Sequence, residues 1–144
     1  MKRNEFIKKS CTLCLLGMAT VLFDPFATQA KGNKRKVIKA EQNEQNEVLI
    51  PLALFAAEKL QIVSVKGWDY DMAVVQKEDQ SFAVFLLKCT HMDNPIHVSA
   101  EGFMCNLHGS TYDQSGVVTK GPAEKPLEQY VARIRSEQIV ITAT

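Results

Sequence analysis

The chain has 144 residues, 46% hydrophobic and 23% charged, with a formal net charge of +1. That length allows one domain plus an extra segment, and the balanced charge excludes the basic footprint typical of nucleic-acid binders. The charge is unevenly placed: residues 48–144 carry eight basic and eleven acidic side chains, a net of −3, so only the front end is basic.

Residues 1–30 predict an export signal. The basic stretch MKRNEFIKK precedes an apolar run from Cys11 to Phe23, Asp24 and Pro25 end the run, and small residues follow at Thr28 and Ala30. This order of basic, apolar and small-residue regions predicts cleavage after Ala30 and export to the periplasm or membrane. The run of 13 residues falls short of the roughly 20 that span a bilayer core; an uncleaved membrane anchor is the alternative. Arg3, Phe6, Ile7 and Lys8 partly match a twin-arginine signal, with Asn4 where the second arginine belongs. Cys11 and Cys14 read as small apolar residues of the signal.

Residues 31–47, KGNKRKVIKAEQNEQNE, are polar and rich in Asn and Gln. Such a stretch buries too little surface to offset its ordering entropy, which predicts a linker. From Val48 the character changes. VLIPLALF, LQIVSV, DMAVVQK and SFAVFLLK are apolar and β-branched, the last two divided by the turn residues Glu78, Asp79 and Gln80; Val117–Thr119, QYVARIR and QIVIT follow. Short runs bounded by turn residues predict strands. FAAEKL could make one helical turn, but no long helical period appears. The fold class is therefore all-β: a small, mostly antiparallel domain over residues 48–144.

All three histidines, and the only two cysteines beyond residue 14, fall between Cys89 and Asp113. Cys89-x-His91 and Cys105-x-x-His108 form two pairs, each just after a strand-like run, Phe82–Leu87 and Gly102–Met104. This places the pairs on two loops able to face each other. Two thiols and two imidazoles allow a disulfide, a structural zinc or an iron–sulfur cluster. A disulfide, common in exported chains, leaves both histidines unexplained. Zinc sites usually group two cysteines in one knuckle and two histidines in another. One of each per loop suits a two-metal centre in which two cysteines hold one iron and two histidines the other.

The segments CTH, CNLHGSTYD and GPAEKPL resemble those of the Rieske 2Fe-2S iron–sulfur proteins, most nearly the exported subunits of quinol–cytochrome c oxidoreductases. The resemblance covers Val48 to the C-terminus. It implies a Rieske-like fold of small antiparallel sheets with a two-loop subdomain binding a 2Fe-2S cluster through Cys89, His91, Cys105 and His108. It also implies that Gly121, Pro122 and Pro126 belong to a loop covering the cluster, and that Ser110 and Tyr112 donate hydroxyls to cluster or cysteine sulfur. Such donors spread the negative charge of the reduced state and raise the potential. One feature departs from the respiratory pattern. Where those proteins carry two further cysteines bridging the loops, Asn94 and Leu107 stand here, so that brace is absent.

The resemblance thus implies one-electron transfer with an intermediate or high potential, as the redox subunit of a quinol or cytochrome chain. Its partner would be a cytochrome or oxidoreductase subunit, or quinol itself, docking at the outer edges of His91 and His108. Oxidising a nearby iron should favour proton release from such exposed imidazoles. Alternatives are the small Rieske subunit of an arsenite-oxidase-like enzyme, or a ferredoxin-type carrier for an oxygenase. The remaining conspicuous residues read as structural: His97 as an exposed loop histidine, Trp68 as packing on the sheet or capping a loop, and Asp69 and Asp71 as solvated turn residues rather than an acid–base pair.

Overall fold

In the computed structural model, which describes residues 35–143, eleven strands form two sheets. The larger sheet runs in the order β1 (Val37–Ala40), β3 (Leu60–Val65), β4 (Met72–Gln76), β5 (Phe82–Leu86), β10 (Gln129–Arg135), β11 (Gln138–Thr142), β2 (Glu47–Pro51). An isolated bridge between Gln42 and Val48 joins the β1 end to β2. The smaller sheet runs β6 (His97–Val98), β7 (Gly102–Met104), β8 (Thr111–Asp113), β9 (Val118–Lys120). The all-β class expected from the sequence is what the structure has.

Two hydrophobic cores share one wall, made of β4 and β5. Side chains alternate across a strand, so Met72, Val74, Val84 and Leu86 enter one core with Val48, Ile50, Val63, Ile139 and Ile141. Their neighbours Ala73, Ala83 and Phe85 face the other way, joining Phe103, Tyr112 and both described cysteines in the second core. This explains why MAVV and FAVFL are apolar throughout: both faces are covered. Each fully buried large side chain of this kind contributes about 1.5–3 kcal/mol. Phe85 also meets Phe103 of the small sheet with ring centroids 5.4 Å apart, tying the second core to the shared wall.

The expected linker is corrected from Val37 onward. Val37–Ala40 is a strand, paired parallel with β3 in the register Val37↔Ile62 to Ala40↔Val65, so the sheets are not wholly antiparallel. Ile38 and Ala40 pack on the first core. Their short apolar signal was diluted by polar neighbours, which themselves are ordered: the Asn43 side-chain carbonyl accepts the Gln45 and Glu47 amides at 3.0 and 2.8 Å. The strand expected over VLIPLALF ends at Pro51, and Leu52–Phe55 is a short 3-10 helix, slightly earlier than the helical turn expected at FAAEKL. The export signal, with its candidate cleavage point, lies outside the described residues. Among those residues no helix is long and apolar enough to cross a membrane.

Candidate metal centre

The two cysteine–histidine loops close by the same backbone pattern. In the first, the Cys89 amide donates to the Asn94 carbonyl at 2.8 Å and the Asp93 amide donates back to the Cys89 carbonyl at 2.9 Å. In the second, the Cys105 amide donates to the Ser110 carbonyl at 2.9 Å and the Gly109 amide returns to the Cys105 carbonyl at 3.0 Å. The residue before each closing position is left-handed, Asp93 at φ +51° and Gly109 at φ +77°. Each loop thus turns sharply about its cysteine. The sulfurs point inward and both cysteines are 1% exposed, while His91 and His108 stand at the surface. The two imidazole rings approach to 5.0 Å between centroids at 83°, so the topology brings together the four residues singled out from the sequence.

A third segment touches both loops. The Ala123 amide donates to the buried Ser110 hydroxyl oxygen at 3.0 Å, and the Thr90 hydroxyl donates to the Lys125 carbonyl at 2.7 Å. Ala123 and Leu127 are buried, whereas Gly121, Pro122 and Pro126 are exposed. The Gly121–Pro122 peptide is cis. Ser110 accepts through its oxygen here, which leaves its proton free for another acceptor.

Tyr112, on β8, reaches the first loop from below. Its hydroxyl lies 3.5 Å from Cys89 Sγ and accepts the Thr90 amide at 3.1 Å. Burial, and then the neighbouring Cys89, push the Tyr112 phenol above its ordinary value, so it remains a protonated donor. Burial resists ionisation of the Cys89 thiol, but Tyr112, the His91 amide, Cys105 and the Met92 amide outweigh it and bring the thiol below its ordinary value. Several donors converging on one sulfur favour thiolate, the form that binds metal. The two loops meet without a bridge: Leu107 is 54% exposed, and Asn94 Nδ2 of the side chain lies 4.0 Å from Cys105 Sγ.

Other expectations resolve as follows. His97 is exposed but belongs to strand β6, opposite Met104, rather than to a loop. Trp68 packs on Tyr130 at 5.5 Å between centroids, and its indole donates to the Gln42 side chain at 3.4 Å. Asp69 is exposed, and Asp71 is half-buried with its carbonyl accepting the Leu87 amide at 2.8 Å. Thr90 and Tyr70 escaped the sequence reading. Thr90 sits between the two ligand-type residues of CTH, a position that carried a signal; Tyr70, remote in sequence, carried none.

Among the described residues, no three His, Cys, Asp or Glu side chains converge on one metal-ion position. Two buried thiols and two exposed imidazoles, one of each per loop, match the donor set of a Rieske 2Fe-2S cluster. A broad hollow of about 880 Å³, lined by Pro51, Phe55, Lys59 and Glu137, takes no residue from these loops.

Comparison with known proteins agrees. The family profile described as "Rieske [2Fe-2S] domain" matches residues 51–131. The cytochrome b6-f complex iron-sulfur subunit of Chlorobaculum tepidum is 31% identical over 74 residues, 50% of this chain and 41% of that subunit. The chain therefore spans under half of that relative's length. The corresponding subunit of Cyanothece sp. is 29% identical over 152 residues, 99% of this chain and 84% of its own. In fold, the plasma membrane Rieske protein PetC3 from Synechocystis PCC 6803 aligns with a TM-score of 0.55 at 22% identity, covering 65% of this chain and 95% of that one. A hyperthermophilic respiratory Complex III chain aligns with a TM-score of 0.51 at 17% identity, covering 67% and 74%. With the profile spanning more than half the sequence and the donor set assembled in the structure, the chain belongs to the Rieske [2Fe-2S] domain family and carries a Rieske 2Fe-2S cluster.

Proposed function

We propose that Cys89 and Cys105 bind one iron of the cluster and His91 and His108 the other, and that the protein is a one-electron carrier in an exported or membrane-associated quinol–cytochrome chain. The observation that carries this reading is the pair of equivalently closed loops, each burying a thiol and exposing an imidazole. When bound, the cluster supplies a one-electron redox couple. The chain's own residues bury its sulfur side and leave the two histidines as the route to a partner.

Around those histidines, Met92 and Leu107 are 60% and 54% exposed, an apolar collar for a docked quinol or protein. Large side chains left exposed together mark interaction surfaces more often than scattered ones do. Ser110 and Tyr112 tune the potential by donating toward sulfur, and Gly121, Pro122 and Pro126 belong to the segment that covers the cluster. Residues 1–30 serve as the export signal or anchor, and the Rieske domain begins with β1 rather than at Val48. The relatives named as cytochrome b6-f subunits favour the quinol–cytochrome setting over the other redox roles.

The test is iron and sulfide analysis with EPR on the full chain, followed by single substitutions C89S, H91A, C105S and H108A. The reading expects the reduced Rieske signal in the parent and its loss in each variant. It also expects a potential in the upper part of the family span of about −150 to +300 mV. Zinc in place of iron, or a cluster that survives all four substitutions, overturns it.

A further inference from the structure

The two loops differ at the one position where each turns left-handed. Gly109 has φ +77° and needs no help there, because a glycine enters this region without a Cβ clash. Asp93 has φ +51° and a side chain, so this conformation is less favourable there than for glycine and gains from neighbours that hold it. Two contacts converge on it, and a third joins the two partners. The Tyr70 hydroxyl donates to the Asp93 carbonyl oxygen. The Lys88 ammonium pairs with the Asp93 carboxylate at 3.1 Å. The same ammonium stands 5.6 Å from the centre of the Tyr70 ring.

Each partner is itself fixed. Lys88 faces Pro95 across the bridge that closes the base of the loop. Tyr70 lies just before β4, and the Asp71 carbonyl next to it accepts the Leu87 amide at 2.8 Å. The clamp therefore connects the first loop to the wall shared by the two cores. The pair with Asp93 favours the charged ammonium, raising Lys88 above its ordinary value; burial works against this, and Tyr70 and Glu128 add to the increase.

We infer that Tyr70, Lys88 and Asp93 are positioning residues that hold the loop bearing Cys89 and His91, in a chain whose two loops have no covalent brace. The inference rests on the ligand assignment proposed above. The hydrogen bond from Tyr70 should dominate, because the Asp93 side chain is 72% exposed and ion pairs so open to water contribute little. The cation over the Tyr70 ring then orients the hydroxyl more than it adds energy of its own.

The experiment uses the cluster-loaded full chain with Y70F, K88M, K88R and the double variant Y70F/K88M. It reads the EPR g-values of the reduced cluster, the rate of iron loss to a chelator, and amide hydrogen exchange at Cys89 and Asp93. Y70F is expected to shift or broaden the signal, speed iron loss about fivefold, the factor of one neutral hydrogen bond, and unprotect both amides. K88M should do the same more weakly, K88R should resemble the parent, and the double variant should fall short of the product of the two single effects, since both act through Asp93. Far-UV circular dichroism checks that the sheets stay folded. Parent-like g-values, iron loss and exchange in Y70F would overturn the clamp. A lower melting temperature with an unchanged signal would overturn it too, assigning Tyr70 to general stability. A parent protein without a Rieske signal would instead overturn the functional reading, and the clamp with it.

Discussion

Tyr112 Oη lies 3.5 Å from Cys89 Sγ, joining a strand of the small sheet to a loop that begins 23 residues earlier. The same oxygen accepts the Thr90 amide and contacts the Thr90 hydroxyl, each at 3.1 Å. Because Thr90 spends its own proton on the Lys125 carbonyl, the Tyr112 proton is shared between Thr90 Oγ1 and the sulfur. With Cys89 as the iron ligand proposed above, its thiolate would draw that proton toward sulfur.

Removing that proton should lower the reduction potential. A charge-assisted hydrogen bond of about 1.4 kcal/mol corresponds to about 60 mV for one electron, so Y112F is expected to fall by roughly that amount. Potentiometric titration followed by EPR reads the shift, and an unchanged potential would remove Tyr112 from the tuning role.

Ser110 is fully buried, and its oxygen accepts the Ala123 amide at 3.0 Å. S110A leaves that amide without a partner, which costs about 1–3 kcal/mol. Denaturant unfolding should show this loss, and the potential should drop in the same variant because a donor beside the cluster is gone. A stability loss with no potential change would mean that Ser110 only ties down the covering segment.

Gly102 pairs with Asp113 at the start of β7, with φ +148°. A Cβ there would lie 2.1 Å from the Tyr112 carbonyl oxygen and 2.8 Å from the Asp113 Cα. G102A must therefore open the small sheet beneath the second loop, and is expected to yield little cluster-loaded protein. G109A is the comparison: its Cβ would meet nothing within 4 Å, leaving only the cost of a left-handed alanine, about 1–2 kcal/mol. Iron content per folded chain separates the two.

Arg135 Nη2 meets Glu47 Oε2 at 2.9 Å across the β11 strand. This bond, then the Asn43 side chain, hold the Glu47 carboxyl below its ordinary value of 4.5. A depressed carboxyl contributes stability above its unfolded value, and that contribution is lost as pH falls through the folded one. E47Q should therefore lower the melting temperature slightly at about pH 7 and have no such effect at a pH below the folded value, where the parent carboxyl is protonated too. Equal effects at both values would assign the loss to packing.

Much of this architecture was legible along the chain. The strands LQIVSV, MAVVQ, QYVARIR and QIVIT announce themselves by β-branched runs between turn residues, and four closely spaced soft ligands announce a metal centre. Val37–Ala40 did not, because four residues in a polar stretch carry too few apolar side chains to stand out before β3 supplies a partner. Tyr112 stood in register with His108, so its link to Cys89 could be anticipated through family resemblance. Tyr70 could not: DYD looks like a solvated turn until the fold sets it under Asp93.

By itself, then, the sequence determined the all-β class and, through the family resemblance, the 2Fe-2S chemistry, since ligand identity and spacing are local properties. Only tertiary structure decided that β4 and β5 wall off two cores, that both loops close by one hydrogen-bond pattern, and that Thr90 ties the first loop to the covering segment. It also decided that Tyr70 and Lys88 grip Asp93. These relationships depend on which distant surfaces pack together, and the free energy that selects them is spread over the whole core rather than written in any one segment.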